Sequence, residues 1–319
     1  MKAIVHRRYG PPDTLTLEDL SEPEPGAGEV RVRVRAASVF AGDRYGVRGA
    51  PFFVRFGTGL LRPRSLVPGI DLAGVVEGTG PEVADLRAGD EVFGFASGSL
   101  AELVCVPADH LVRRPRNLTL EQAAAVPEAG MTALQGLRDQ GRVRAGQRVL
   151  VIGASSGVGT FAVQIAKALG AEVTGVCGPA NAELVRSIGG DHVVDYTRTD
   201  VATATARYDV ILQVAGTASP RRLRRALVPG GTLVLSSGEG RIAGVDRILA
   251  AIVVNPFVRE RLAFFETKEN GADLATLAGM IASGQVRPVI DRTYPLADTA
   301  GALRYLETGH ARGKVVIAI

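Results

Sequence analysis

The run VLVIGASSGVGTFAVQIAKALGAEV (Val149–Val173) decides how this chain is read. VLVI is an unbroken apolar run of the kind buried on both faces of a parallel sheet. Three glycines follow, Gly153, Gly157 and Gly159, and then an amphipathic helix that ends near Gly170. A strand-to-helix turn this tight needs residues that tolerate unusual dihedrals. A diphosphate also has to approach backbone N–H groups at the helix N-terminus, where the dipole favours anions. Ser155, Ser156, Gly157, Val158 and Gly159 are therefore the candidate contacts to a dinucleotide. A glycine cluster alone serves a structural turn equally well. Here the preceding strand, the following helix and the second strand EVTGVC (Glu172–Cys177) supply the context that the dinucleotide reading requires.

In an NAD site an acidic residue about 20 positions on, at the end of the second strand, holds the ribose hydroxyls. Cys177 takes that place, and Gly178, Pro179, Ala180 and Asn181 behind it carry no negative charge. Nothing there repels a 2′-phosphate, so NADPH is the expected cofactor, with Cys177, Gly178 and Asn181 among its contacts.

Working outward, strand and helix keep alternating: HVVDY, YDVILQVAG, the helix SPRRLRRALV, a PGG turn and the strand GTLVLSSG. That alternation predicts a parallel sheet with helices on both faces. Upstream, from Lys2 to about Pro115, short alternating runs such as EVRVRVRAASV (Glu29–Val39), DEVFGF and AELVCV are separated by Gly/Pro turns and predict a β-rich domain. Thr119, followed by Glu121 and Gln122, is a plausible N-cap where helical texture begins. The last segment, from about Ala272 to the strand KVVIAI, continues the α/β alternation poorly and is expected to return to the first domain. The fold class is α/β, with a discontinuous β-rich domain over 1–122 and 269–319 and an inserted dinucleotide domain over 123–268.

A chain of 319 residues fits two cores, since domains run to roughly 100–200 residues. The net charge is only +4, and the dense basic clusters, RRLRR (Arg221–Arg225) and RPR (Arg62–Arg64), read as solvated faces, so no nucleic-acid partner is expected. Cys105 and Cys177 form no CxxC pair, and His6, His110, His192 and His310 show no ligand spacing, so neither a disulfide framework nor a metal site is expected. No window approaches the ~18 apolar residues of a membrane span and no export signal is visible, so a cytoplasmic protein without a membrane partner is expected.

The string GASSGVGTFAVQIAKALGAEVTGVCG, with DHVVDY and YDVILQVAG behind it, resembles the zinc-independent quinone oxidoreductases of the medium-chain dehydrogenase/reductase superfamily. The likeness extends to the opening MKAIVHRRYGPPDTLTLEDL, the PGIDLAGVVEGTG segment, the AAAVPEAGMTALQGL helix and the ending RPVIDRTYPLADTAGALRYLETGHARGKVVI. It implies a GroES-like β-rich catalytic domain, a Rossmann domain, a cleft between them and commonly a homodimer. GASSGVG also resembles the short-chain dehydrogenases, but their turn lies near the N-terminus and none of the six tyrosines here has Lys four residues later.

Zinc-dependent relatives carry a cysteine after the AAS-type strand, a GHE motif and a four-cysteine lobe. Phe40-Ala41-Gly42-Asp43 and Ile70-Asp71 stand in the first two places, and two cysteines cannot build the lobe, so no catalytic zinc is expected. The implied reaction is hydride transfer from NADPH to an activated acceptor, an apolar enone or quinone. Relatives usually have Asn-x-x-Asp where Phe40 and Asp43 stand. Asp43 is kept, and Phe40 is expected to line an apolar pocket. Tyr45 is the nearest hydroxyl able to meet a carbonyl. Packing alone equally explains a tyrosine here, and a backbone cap equally explains Asp43. The resemblance also implies Thr132, Ser236, Ser237 and Gly238 around the nicotinamide half, and Tyr196, Arg312 and Lys314 for the 2′-phosphate. The aromatic, basic loop Gly46–Ser65 is expected to cover the pocket and favour a bulky apolar substrate. Open alternatives are a carbonyl reductase or alcohol dehydrogenase, and a pathway or binding protein with altered catalysis on the same fold.

Overall fold

The computed structural model describes residues 1–203, 207–236, 245–255 and 258–319. Its strands, in chain order, are β1 (Lys2–Val5), β2 (Thr16–Asp19), β3 (Glu29–Val39), β4 (Asp71–Thr79), β5 (Glu91–Phe95), β6 (Leu103–Pro107), β7 (Leu111–Arg113), β8 (Arg148–Ile152), β9 (Glu172–Cys177), β10 (His192–Asp195), β11 (Tyr208–Gln213), β12 (Leu227–Ser236), β13 (Arg261–Phe265), β14 (Ile290–Pro295) and β15 (Lys314–Ala318). They fall into two compact units, one of Met1–Glu128, Glu269–Ser283 and Pro288–Ile319, the other of Ala129–Lys268 and Gly284–Arg287.

The first unit is built on a seven-stranded sheet of order β14-β15-β3-β4-β5-β7, with β6 paired to β3 off that path and β1-β2 forming a separate pair. β3 is its spine. Val30, Val32 and Val34 are buried while the arginines between them are not, which is the period-2 pattern of a strand with one face on a core. From Ala36 to Val39 every residue is buried, and there β15 lies antiparallel to β3 with Val315 opposite Val39 and Ile317 opposite Ala37. The C-terminal segment thus returns to the first unit and fills its core with Val315 and Ile317 beside Ile4, Val39 and Leu303.

The second unit holds a parallel six-stranded sheet of order β10-β9-β8-β11-β12-β13. Val149, Leu150 and Val151 of β8 are fully buried, as a central strand covered on both faces must be. From β8 the chain adds β9 and β10 to one side, then crosses back and adds β11, β12 and β13 to the other. The reversal puts a topological switch point between the carboxyl ends of β8 and β11, where open α/β sheets bind ligands.

Some expectations change in detail. The PGG segment expected as a turn lies within β12, where Gly230 has φ +78° and the register to β11 slips between Tyr208 and Val210, a bulge that absorbs the extra residues. β13 and the helix Val245–Val254 were not read from the sequence. RLAFF is a short strand at the sheet edge with no flanking turn signal, so pairing to β12 is what makes it a strand. The first boundary lies at Glu128/Ala129, six residues beyond the expected 122/123, and Gly284–Arg287 belongs to the second unit. The Gln164 side chain holds Arg287 there, accepting from its N–H at 2.9 Å and donating to its carbonyl at 2.9 Å.

Gln164→Leu removes both bonds and leaves the Arg287 backbone groups unsatisfied. We expect a loss of about 1–3 kcal/mol of stability, with faster hydrogen exchange at Arg287; unchanged exchange there would contradict this anchoring.

Candidate functional site

In the second unit the candidate cofactor residues gather along the carboxyl edge of the parallel sheet. Gly153 leaves β8 with φ +88°, and its N–H and that of Ala154 both bond the Val176 carbonyl of β9. Ser156 caps the helix Gly157–Ala168 through a 3.1 Å bond from the Gly159 N–H to its hydroxyl. Gly159 is the tightest point. A β-carbon there would sit 1.9 Å from the Gly153 carbonyl oxygen, so only glycine lets the helix start this close to the strand it leaves. At Gly153 a β-carbon would lie 2.4 Å from that of Ala215, in the segment after β11, so the two sides of the switch point touch across this turn.

Beside the turn, Asn181 donates to Ser155 Oγ at 3.1 Å, while Asn181 Oδ1 is buried and has no hydrogen-bond partner among the described residues. A buried orphan acceptor next to an N-terminal turn marks a place where a ligand donor is missing. Cys177 ends β9 and is 3% exposed, and burial pushes its thiol pKa up, so it stays uncharged. Tyr196 is exposed and flanks Gly178, its ring and hydroxyl 3.6 Å from where a β-carbon on Gly178 would be. Ser236 ends β12, while Ser237 and Gly238 lie outside the described residues. Thr132 is buried, with its hydroxyl 2.7 Å from that of Thr267, two residues past the end of β13. Thr267 was missed from the sequence because nothing local distinguishes it. These residues fit a nicotinamide dinucleotide: a glycine-lined helix N-terminus, an orphan acceptor, and no carboxylate in the segment Cys177–Asn181.

The first unit carries a buried charge cluster. Lys314 Nζ and Asp71 Oδ2 pair at 3.0 Å with side-chain exposures of 2% and 0%. Ser38 Oγ donates to Asp71 Oδ2 at 2.7 Å and the Glu128 N–H to Oδ1 at 2.9 Å. Asp43 lies close by and accepts from the Phe40 N–H at 3.0 Å. Desolvation, reinforced by the Asp71 charge and opposed by the Phe40 N–H and Lys314, raises the Asp43 pKa to about 7. The Phe40 ring sits 5.6 Å from Lys314 Nζ and folds over Gly42, where a β-carbon would lie 2.3 Å from it. Arg44 donates to the Tyr45 hydroxyl at 2.7 Å and lies over its ring. Phe40 and Asp43 therefore share one environment, with Tyr45 on the same helix, Ala41–Arg48.

Lys314 corrects one expectation. It does not reach out for a phosphate: it begins β15, points into the core and is committed to Asp71, because an ammonium at a 2% exposed position needs a carboxylate. Ser38 and Asp71, its partners, were missed as site residues, since a serine and an aspartate 33 positions apart carry no joint signal. Arg312 lies with Asp291, Arg292, Tyr305, Thr308 and His310 around a pocket of about 530 Å³ in the first unit, its N–H bonded to Asp291 at 3.0 Å.

Residues 26–116 match the family model described as "Alcohol dehydrogenase GroES-like domain", and residues 188–317 match that described as "Zinc-binding dehydrogenase". An NADPH-dependent alkenal/one oxidoreductase of Arabidopsis thaliana is 34% identical over 99% of this chain and 79% of that protein. A 2-methylene-furan-3-one reductase of Solanum lycopersicum is 32% identical over the same shares, 99% and 79%. The quinone oxidoreductase structure from Coxiella burnetii superposes with a TM-score of 0.88 at 28% identity, covering 100% of this chain and 99% of that one. The chain belongs to the quinone oxidoreductase-like medium-chain dehydrogenase/reductases. It is an oxidoreductase with the GroES-like and Rossmann-like folds of that family.

Asp71 stands where zinc-dependent relatives carry the second residue of the His-Glu pair, and its carboxylate is already engaged. It accepts from Lys314, Ser38 and the Glu128 N–H. Among the described residues, no group of three or more His, Cys, Asp or Glu side chains could hold a metal ion.

Two substitutions test this geometry. Gly159→Ala drives a methyl into the Gly153 carbonyl, and we expect at least about a tenfold loss of NADPH affinity in calorimetry together with a lower melting temperature. Asp43→Asn tests the charge cluster. Between about pH 4 and 7 the folded chain keeps a proton on Asp43 that the unfolded chain has lost, so native stability falls as pH rises through this window. Asparagine keeps the acceptor for the Phe40 N–H without that charge. The variant should match the native chain near pH 4 and exceed it by about 2–4 kcal/mol at pH 8 in denaturant titrations; equal stabilities at pH 8 would refute the raised pKa of Asp43.

Proposed function

We propose that this protein is an NADPH-dependent reductase of activated carbon–carbon double bonds or quinones that works without zinc. The observation that carries the reading is the carboxyl edge of the second unit's sheet, where the Gly153–Gly159 turn is followed after β9 by an uncharged segment, Cys177 to Asn181. A carboxylate at that place would repel a 2′-phosphate, and its absence favours NADPH over NADH. The names of the relatives, an NADPH-dependent alkenal/one oxidoreductase, a 2-methylene-furan-3-one reductase and a quinone oxidoreductase, support the same acceptor class.

The turn N–H groups of Ser155, Gly157 and Val158 would hold the diphosphate, while that of Ser156 is spent on the Gly153 carbonyl at 3.0 Å; Gly178, Asn181 and Tyr196 would hold the adenosine side, and Thr132 and Ser236 the nicotinamide half. When bound, NADPH supplies a hydride. Tyr45 is proposed to hydrogen-bond the acceptor's carbonyl oxygen, and Asp43, which holds its proton until about pH 7, to serve as the nearby proton reservoir. Phe40, in place of a polar side chain, gives the acceptor an apolar wall. A homodimer in a reducing, cytoplasmic setting is part of the proposal; both cysteines are free, Cys105 in the first unit and Cys177 in the second.

Calorimetric titration with NADPH and NADH in parallel is the direct test, and binding of neither would overturn the proposal. Gly178→Asp sharpens it. Gly178 has φ −75°, so any residue is tolerated there. The new carboxylate should lower NADPH affinity about tenfold or more and leave NADH affinity equal or higher. A variant that loses both cofactors equally would place the 2′-phosphate elsewhere.

A further inference from the structure

From Arg44 to Ile70 the first unit carries five arginines and no acidic residue. The same stretch exposes a set of large apolar side chains: Phe52, Phe53, Phe56, Leu60, Leu61 and Leu66, with Phe56 69% and Leu61 90% exposed. Monomeric proteins rarely leave so many large hydrophobic groups together in water without a use.

The segment is held by its polar side. Arg55 donates to the Gly49 carbonyl at 2.9 Å and lies 4.6 Å over the Tyr9 ring, while the Tyr9 hydroxyl donates to the Gly59 carbonyl at 2.5 Å. The Arg64 N–H closes the loop on the Thr58 carbonyl at 2.7 Å. With the backbone pinned from inside by Tyr9 and Arg55, the rings of Phe52 and Phe56, edge to face at 5.9 Å, and the Leu60-Leu61 pair stand outward. Arg62 and Arg64 follow at once; both are exposed, and no carboxylate among the described residues pairs with either. Arg48 is different: it is tied to Glu307.

An apolar tip flanked by uncompensated guanidinium groups matches one surface chemistry on both counts, a bilayer with anionic headgroups. The phenyl and isobutyl groups would enter the acyl boundary, and the arginines would extend their charges to the phosphates. We propose that the loop from Phe52 to Leu66 docks this protein on anionic membrane surfaces as a peripheral contact. Among the described residues no helix is long and apolar enough to cross a membrane, and a surface contact needs none. This departs from the expectation of no membrane partner, which rests on the lack of a spanning window and of an export signal.

The test is co-sedimentation of the full chain with vesicles of phosphatidylcholine alone and of phosphatidylcholine containing about one-third phosphatidylglycerol, at low salt and at about 0.5 M salt. The full chain should bind the anionic vesicles at low salt, leave them at high salt and ignore neutral ones. Arg62→Gln with Arg64→Gln, and separately Phe56→Ser with Leu61→Ser, should each lower the partition coefficient about tenfold or more while circular dichroism and melting temperature stay unchanged. No binding, equal binding to neutral vesicles, or variants that bind as well as the native chain would overturn the proposal. A Phe56→Ser, Leu61→Ser variant that dissociates a dimer in sedimentation velocity and keeps its vesicle binding would assign the patch to a second copy of the chain. None of these readouts involves reduction of a substrate, so failure here leaves the redox reading standing.

Discussion

The carbonyl oxygen of Gly153 occupies nearly the space where a side chain on residue 159 would begin, at 1.9 Å. Everything that makes the second unit a nucleotide-binding fold hangs on that contact. It lets the helix Gly157–Ala168 start directly above β8, so its unsatisfied N–H groups open at the carboxyl edge of the sheet rather than beyond it. It also lets the chain reach β9 in few residues, which brings Cys177, Gly178 and Asn181 alongside the turn. The Asn181 side chain then reaches Ser155, which leaves its own oxygen buried and unanswered. A helix displaced by even one methyl group would separate these groups, because the protein interior is too densely packed to absorb the shift locally.

The first unit is organised by a different constraint, the need to neutralise charge out of water. Lys314 arrives on the last strand and Asp71 on β4, and the pair closes with Ser38 of β3 and the Glu128 N–H as further donors. One buried lysine balances one buried aspartate. Asp43 is the second acid near a single cation, and keeping its proton is the response of a carboxyl group that has no charge of its own to pair with. The same cluster occupies Asp71 with three donors at once.

Much of the architecture was legible because it is written in short-range pattern. The alternation of EVRVRVRAASV reports one buried face, VLVI reports two, and the two glycines that bracket the turn report a close approach that no other residue permits. The Thr119 cap with Gln122 was equally local, and both reciprocal bonds form. The candidate site was legible only along the glycine turn and the end of β9, where neighbours in sequence are neighbours in space. The pairing of Lys314 with Asp71, of Ser38 with Asp71 and of Thr132 with Thr267 is not legible for the opposite reason: partners 243, 33 and 135 positions apart leave no mark in a local string. RLAFF, likewise, is a strand only because β12 presents an open edge.

By itself, then, the sequence determined the class of fold, the return of the C-terminal strand, the nucleotide turn and the absence of an acid after β9, all consequences of side-chain periodicity and of residue types with unusual backbone freedom or charge. Tertiary structure alone decided where charge is buried and where apolar surface is exposed. It turned Lys314 inward, raised the pKa of Asp43 to about 7, and pinned the loop beneath Phe52 and Leu61 so that its hydrophobic side faces outward. The physical reason is common to all three: the free energy of a charge or an apolar group depends on what surrounds it, and those surroundings come from chain segments far apart in sequence.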